Sequence, residues 1–569
     1  MTGATIFPTR LRQHYEQFPD RVAIHLLTAR QPDRPVTTRD LLHGAAGYAN
    51  ALVAAGIRPS EVVILILQHG EALLHAFLGV VLHGAIPSIM PFLTEKLSPE
   101  QYRHSLAALF EITAPAAVVT YPEFVEDVRQ AMAGTSSGGS VRRVIVSAEV
   151  GSAPEIDFLS LRGFERHAQE IVLLQHSSGT TGLQKGVALS HAAVFNQLKS
   201  YAAALQLRAE DVIVSWLPLY HDMGLIAGFL MPVLEGIPLV LMSPFDWVRA
   251  PYRLLQAVSK YRGTLSWLPN FAYNFCAQKI RDRDLEGVDL SSWRAISNCS
   301  EPMVWRSHQM FRERFRSFGL RSEALTTCYA MAENVFAVTQ GGVNGPVTVD
   351  EVDQRSYLVD RIARPAVDGQ PSLKMLSCGR PIANTQVRVL NEKRRELSER
   401  QVGEIAMLSD CMLNEYYRRP DATAKAFHNG WYLTGDLGYM ANGEVYVTGR
   451  KKDLIIVGGK NIYPQDLESL AGEVEGVHPG RVAAFGVFNE DTGTEDVVIV
   501  AEVEDEAADR EMLANEVRQR VTRGSDIALR NVQLVERGWL LKTSSGKVAR
   551  SANREKYLSK LNTEGELID

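Results

Sequence analysis

The sequence predicts an α/β fold in two parts: a large N-terminal domain of parallel sheets and covering helices (residues 1–450), and a small, mobile α+β C-terminal domain (451–569). Three observations predict it. Short β-branched runs alternate with amphipathic stretches over several hundred residues, the texture changes near residue 450, and the chain is 46% apolar and 22% charged, as globular chains are. At roughly 150 residues per domain the length amounts to about four domain equivalents, so the N-terminal part has ample chain to bury a large core.

Taken in order, EVVILIL (61–67), PAAVVTY (115–121), VRRVIVS (141–147) and IPLVLM (237–242) read as strands covered on both faces. EALLHAFLGVVLHG (71–84) and YRLLQAVSKY (252–261) read as helices. GTSSGGS (134–140) reads as a surface loop, because strand-like sequence resumes at once. The longest apolar stretch, GLIAGFLMPVLEGIPLVLM (224–242), is long enough for a bilayer but is interrupted by Pro232, Glu235 and Pro238. A buried helix followed by a buried strand is expected there, with no integral membrane segment. NGEVYVTGR (442–450) closes a small β region. Beyond it, RVAAFGVF (481–488), DVVIVAEVE (496–504) and NVQLVER (531–537) alternate with helical EMLANEVRQRV (511–521), enough chain for a core of its own.

Lysine and arginine number 60 against 66 acidic residues, a net charge of −6 that gives no reason to expect nucleic acid as a partner. The cysteines at 276, 299, 328, 378 and 411 are scattered, with no CxxC pair. That excludes a disulfide scaffold, argues against zinc and predicts reduced thiols in a cytoplasmic protein. The first ten residues lack the apolar core of a secretory signal.

The most informative segment is LLQHSSGTTGLQKGVALSH (173–191). An apolar run leads into Ser177, Ser178, Gly179, Thr180, Thr181 and Gly182, then Lys185. Glycines that permit unusual φ, converging amides, hydroxyls and a lysine suit a loop wrapped around phosphate. By composition alone it is more often a plain loop. It is not a Walker A motif, which needs GxxxxGK[ST].

Four further segments follow: SWLPLYHDMGL (215–225), YAMAE (329–333), WYLTGDLGYM leading to VTGRKKDLIIVGGKNIYPQDLE (431–468), and LKTSSGKVAR (541–550). Together, in this order and over nearly the whole chain, they resemble the adenylate-forming superfamily of acyl-CoA synthetases, peptide-synthetase adenylation domains and firefly-type luciferases. WLPLYHDMGL, LPNFAYNFC (268–276) and NIYPQDLE resemble the fatty acyl-AMP ligase branch in particular.

The resemblance implies ATP and Mg²⁺ as cofactors, and a carboxylic acid, fatty or lipid-like, activated to an acyl-adenylate with loss of pyrophosphate. A carboxylate is already ionised at neutral pH, so the chemistry needs charge neutralisation and alignment rather than a general base. By resemblance Glu333 binds magnesium and Lys547 reaches the carboxylate and α-phosphate. Tyr329, Ala330, Met331 and Ala332, with Ser300, Glu301 and Pro302, border the adenine. Relatives usually carry glycine at the position of Ala330, and alanine or glycine at that of Ser300. Asp436 holds the ribose hydroxyls, Arg450 lies beside ribose and phosphate, and Lys452 is the hinge about which the small domain turns between two half-reactions. Without the resemblance Asp436 would read as a turn residue, and Arg450 and Lys452 as surface charges. His221 is open to three roles, a general base, a gate on the acyl tunnel or a satisfied structural residue, with gate or positioning favoured over acid–base work.

The acceptor implied is the phosphopantetheine thiol of an acyl carrier protein, on a separate chain because only about twenty residues follow Lys547. Free CoA, as in an acyl-CoA ligase, is the alternative, and a catalytically silent adenylate binder or a luciferase-like oxygenase are rivals. Forty-five positions separate Glu333 from Cys378. The intervening segment resembles the insertion that marks fatty acyl-AMP ligases and is thought to hinder the arrangement CoA needs. A hairpin or ordered surface loop is expected there, and an inert extension is the other reading.

Overall fold

The computed structural model describes residues 5–92, 99–135, 140–176, 185–343, 345–457, 460–489, 494–504, 509–525, 529, 531–543 and 547–565. Two seven-stranded sheets form the large part of the molecule. One runs in the spatial order Leu325–Cys328, Ala295–Cys299, Leu265–Leu268, Ile213–Ser215, Leu239–Met242, Val22–Leu27, Arg34–Thr37, parallel except for its last strand. The other runs Glu415–Tyr416, Gly186–Ser190, Ile171–His176, Ile86–Ile89, Val62–Ile66, Ala117–Thr120, Arg143–Val146. Its first three strands are antiparallel and the rest parallel.

The four runs read as strands are strands, and helices Glu71–His83 and Tyr252–Tyr261 lie where the periodicity predicts them. Every residue of Val62–Ile66 is buried, as a strand covered on both faces requires. The apolar stretch after Asp222 is helical, but its first eight residues, Met223–Leu230, wind as a π-helix before an α-helical turn, Met231–Glu235, and the strand Leu239–Met242. Gly224 explains the tight entry. A Cβ there would lie 2.2 Å from the carbonyl oxygen of Pro218, so only glycine lets this helix abut the loop that carries His221. Among the described residues, no helix is long and apolar enough to cross a membrane.

A five-stranded antiparallel sheet follows, in which Gly403–Ser409 pairs with Trp431–Ala441 and that strand with Glu444–Arg450. The inserted segment forms a hairpin, Val349–Asp353 with Ser372–Leu376, and a short helical turn, Ser356–Asp360, lies between its strands. From Ile455 onward, a three-stranded sheet (Val477–Asn489, Thr494–Val503, Asn531–Val535) packs against Pro464–Gly472, Arg510–Ser525 and Arg550–Gly565. Apolar residues on its two faces form separate cores, Val482, Ala484 and Ile499 on one side and Ala483, Phe485 and Val498 on the other. All five cysteines are buried free thiols.

Candidate active site

One cleft of about 3490 Å³ opens between the C-terminal ends of the parallel strands and the small α+β unit, where ligands of open α/β sheets bind. It is lined by Lys185, His221, Ser300, Glu301, Pro302, Tyr329, Ala330, Met331, Ala332, Glu333, Asp436, Arg450, Lys452 and Lys547. These sites lie as much as 362 positions apart in the chain, from Lys185 to Lys547. Ser177, Ser178, Gly179, Thr180, Thr181 and Gly182 fall outside the described residues.

Tyr329 follows the buried strand Leu325–Cys328, and Asp436 sits within Trp431–Ala441. The Tyr329 hydroxyl donates to Asp436 Oδ2 at 2.6 Å, and Arg450 Nε lies 3.2 Å from Oδ1. Asp436 and Arg450 are register partners on neighbouring strands, so backbone pairing sets their contact. Burial and the Asp436 charge push the phenol's pKa upward, which keeps Tyr329 protonated and donating. Asp436 holds the Arg450 guanidinium above its ordinary value. The carboxylate therefore sits between a donor and a cation, and is itself buried. A buried anion so compensated suits bidentate acceptance from two vicinal hydroxyls.

Glu333 lies in a single 3₁₀ turn, Ala332–Asn334, held unusually firmly. The next residue, buried Val335, has φ 62° and ψ −55°, and Phe336 N donates to the Asn334 carbonyl at 2.6 Å. That is a γ-turn of the rare, strained hand, on a β-branched residue. Surrounding bonds over-determine it. Asn334 Nδ2 donates to the Ala337 carbonyl at 2.7 Å, and Asn334 Oδ1 accepts from Ser409 Oγ at 2.5 Å. Glu333 Oε1 accepts from the Tyr416 hydroxyl at 2.8 Å. No group of three or more His, Cys, Asp or Glu residues that could hold a metal exists among the described residues. A single carboxylate lining a cleft nevertheless fits Mg²⁺, which takes one or two carboxylates and completes its shell with substrate phosphates and water.

Ser300 has φ 68°, a left-handed backbone that costs a side-chain-bearing residue about 1 kcal/mol or more. Glycine, one of the two residues the resemblance implies at this position, would meet no such cost. Next to it, Glu301 accepts from Phe271 N at 2.9 Å, and burial raises its pKa. Lys547 faces Glu301 and Asp222: burial lowers the ammonium's pKa, and these two carboxylates oppose the shift. His221 Nε2 is buried and has no hydrogen-bond partner among the described residues, and burial together with Lys547 pushes the imidazole down to about 3. It is held neutral at ordinary pH. Beyond it Trp216 and Trp247 stack with centroids 3.6 Å apart at 9°, and Phe271 and Phe275 pack edge-on or tilted against them. Lys452 lies in the 3₁₀ turn Lys451–Asp453 that leads out of the five-stranded sheet.

Sequence reasoning missed Tyr416, Tyr432, Asn334 and Ser409, which surround Glu333. The YY pair at 416–417 is a signal of sorts, but adjacent tyrosines in a strand point to opposite faces and only the fold shows which one faces the cleft.

The family model described as AMP-binding enzyme matches residues 11–417. The chain is 31% identical over 528 residues to the medium-chain-fatty-acid–[acyl-carrier-protein] ligase JamA of Moorena producens, covering 88% of this chain and 86% of that protein. It is 31% identical to 4-hydroxyphenylalkanoate adenylyltransferase of Mycobacterium marinum, covering 95% and 89% of the two chains. A structure from work on fatty acyl-adenylate ligases of E. coli and L. pneumophila superposes with a TM-score of 0.88 at 26% identity, covering 99% of this chain and 98% of the other.

Proposed function

We propose that this chain, which belongs to the AMP-binding enzyme family, activates a carboxylic acid with ATP and passes the acyl group to the phosphopantetheine thiol of a carrier protein. In the first step a carboxylate oxygen attacks the α-phosphorus, the α–β phosphoanhydride bond breaks and pyrophosphate leaves. In the second, the thiol attacks the acyl carbon and AMP leaves. The observation that carries the reading is the convergence of Glu333, Asp436, Arg450 and Lys547 on one cleft.

Each residue has a part that its chemistry suits. Asp436 accepts the two ribose hydroxyls, and Tyr329 both orients Asp436 and borders the base. Lys547, desolvated between Glu301 and Asp222, spreads positive charge over the reacting carboxylate and α-phosphate as they approach. Glu333 would hold Mg²⁺, which when bound offsets the phosphate charge. Neutral His221 shapes the path to the aromatic wall and takes up no proton, which favours its gate or positioning role over that of general base. The names of the relatives point to different acids, a medium-chain fatty acid and a 4-hydroxyphenylalkanoate, and both fit a cleft whose far end is aromatic.

The inserted hairpin supports carrier-bound thiol over free CoA. Asp350 clamps it to the five-stranded sheet, accepting from Arg400 Nη1 at 3.0 Å and from the Tyr439 hydroxyl at 2.9 Å. Its turn then reaches the small unit. Tyr357 is buried against Tyr463 with centroids 6.0 Å apart at 24°, and Gln354 Nε2 donates to the Gly524 carbonyl at 2.8 Å. Rotation about Lys452 must break these contacts, a cost that the docking surface of a carrier protein can offset and that free CoA, with far less surface to bind, cannot. ATP–pyrophosphate exchange across a panel of aliphatic and aryl-alkanoic acids tests the reading. Exchange dependent on one acid class is expected, and none with any acid would favour the silent binder.

A further inference from the structure

We infer that Tyr416 is a positioning residue that holds the Glu333 carboxylate and the Lys185 ammonium in place and apart, so that each meets the nucleotide rather than the other. The inference rests on the function proposed above, within which neither its motifs nor its charged groups give Tyr416 a part.

The tyrosine touches both ends of the phosphate-binding apparatus. Its hydroxyl donates to Glu333 Oε1 at 2.8 Å, and Lys185 Nζ lies 4.5 Å from the centroid of its ring. A phenol has one proton. With that proton given to the carboxylate, the 2.8 Å contact with Tyr432 must run the other way, Tyr432 donating to Tyr416. The result is a directed chain, Tyr432 to Tyr416 to Glu333, whose far end stands on the strand that carries Asp436. The ring's electron-rich face takes the cation. Lys185 and Glu333 form no ion pair within 4.0 Å, although both line the cleft; Tyr416 touches each, the cation with its ring and the carboxylate with its hydroxyl. Direct pairing would neutralise the cation meant for phosphate and the carboxylate meant for the metal.

The backbone fixes the ring. Tyr416 pairs with Val187 in the strand that follows Lys185, Tyr417 N donates to the Gly186 carbonyl at 2.7 Å, and Tyr416 N donates to Thr423 Oγ1 at 3.0 Å. Lys185 and Tyr416 are thus registered to each other by sheet pairing. On the opposite side Leu413 N donates to the Glu333 carbonyl at 2.8 Å. A buried tyrosine bonded this way at backbone and hydroxyl has few ways to move, and that is what a positioning role needs.

The test separates the hydroxyl from the ring. Tyr416→Phe keeps the ring and loses the hydrogen bond, whereas Tyr416→Leu loses both. Binding of the Mn²⁺ complex of α,β-methylene-ATP, read by water-proton relaxation, is expected to weaken about tenfold or more in Tyr416→Phe, as for loss of a hydrogen bond to a charged group. Binding of the same analogue in excess EDTA should be unchanged in Tyr416→Phe and weakened about two- to fivefold in Tyr416→Leu. In pyrophosphate exchange, Tyr416→Phe should need about tenfold more Mg²⁺ for half-maximal rate, with the KM for the acid and the transfer of preformed acyl-adenylate to the thiol unaltered. Unchanged Mn²⁺-complex binding would overturn the inference. So would equal losses in both half-reactions together with a lowered melting temperature, which mark a merely structural tyrosine. If the unaltered protein exchanges pyrophosphate with no acid, the proposed function fails, yet the metal–nucleotide binding arm still decides the part of Tyr416.

Discussion

Loosening the inserted hairpin from the small unit should admit free CoA as acceptor. The pair Tyr357→Leu and Gln354→Ala does this while keeping an apolar side chain at the buried position. Stacking on Tyr463 contributes about 0.5–1.5 kcal/mol beyond the area it buries, and the Gln354–Gly524 hydrogen bond about 0.5–1.5 kcal/mol. Together they favour the observed arrangement by about 1–3 kcal/mol, which is roughly 5- to 150-fold in the population of any arrangement that must break them. The hairpin's own anchors, Asp350 with Arg400 and Tyr439, are untouched, so it should stay folded. Acyl-CoA formation, followed chromatographically at fixed acid and ATP, is expected to rise by about tenfold or more, with pyrophosphate exchange within about twofold of the parent. No gain in acyl-CoA, with transfer to a carrier intact, would refute the reasoning and leave the insertion an inert extension.

Three other outcomes are expected. Lys547→Ala should slow pyrophosphate exchange by about 10²–10³ and slow transfer from preformed acyl-adenylate much less, since the ammonium acts on charge developing at the α-phosphate; equal losses would make it a folding or docking residue. Lys452→Pro should leave exchange nearly intact and abolish thioester formation by fixing the hinge φ, and an undiminished thioester yield would contradict the hinge. The pKa of His221 falls from 6.5 to about 3 on folding, so the unfolded chain binds the extra proton between those values and this group's contribution to stability is lost as pH falls through that window. Melting temperatures of His221→Asn should accordingly decline less than the parent's from about pH 6.5 downward, with the exchange pH profile unchanged in shape between about pH 6 and 8. An acid limb lost with the imidazole would make His221 a base.

Much of this architecture was legible in the residues because it is periodic. VVILI and AVVT are too apolar to face water, and their spacing leaves room only for helical crossovers, so a parallel sheet follows. The cleft was legible for a different reason: by composition TGDLG reads as a turn and TSSGKVAR as a loop, and it is their resemblance, in order with three other motifs, to the adenylate-forming enzymes that pointed to chemistry. The π-helical entry at Met223 was not legible, since it is forced by the contact between Gly224 and Pro218 rather than by propensity. Nor was the γ-turn at Val335, which local preference opposes and which Asn334 and Ser409 impose from 75 positions apart. Tyr416 was hidden because its meaning lies in what it touches, 83 positions away at Glu333 and across a strand pair at Lys185.

The most direct test of the account is a single-turnover chase. The protein is incubated with ATP, Mg²⁺ and a labelled acid that supports exchange, and enzyme-bound acyl-adenylate is isolated. It is then split between a holo-carrier protein and free CoA at equal thiol concentration. The account predicts that acyl-adenylate forms with one equivalent of pyrophosphate and that label moves to the carrier thiol while acyl-CoA stays near background. Rapid and stoichiometric acyl-CoA formation would contradict it and make the chain an acyl-CoA ligase.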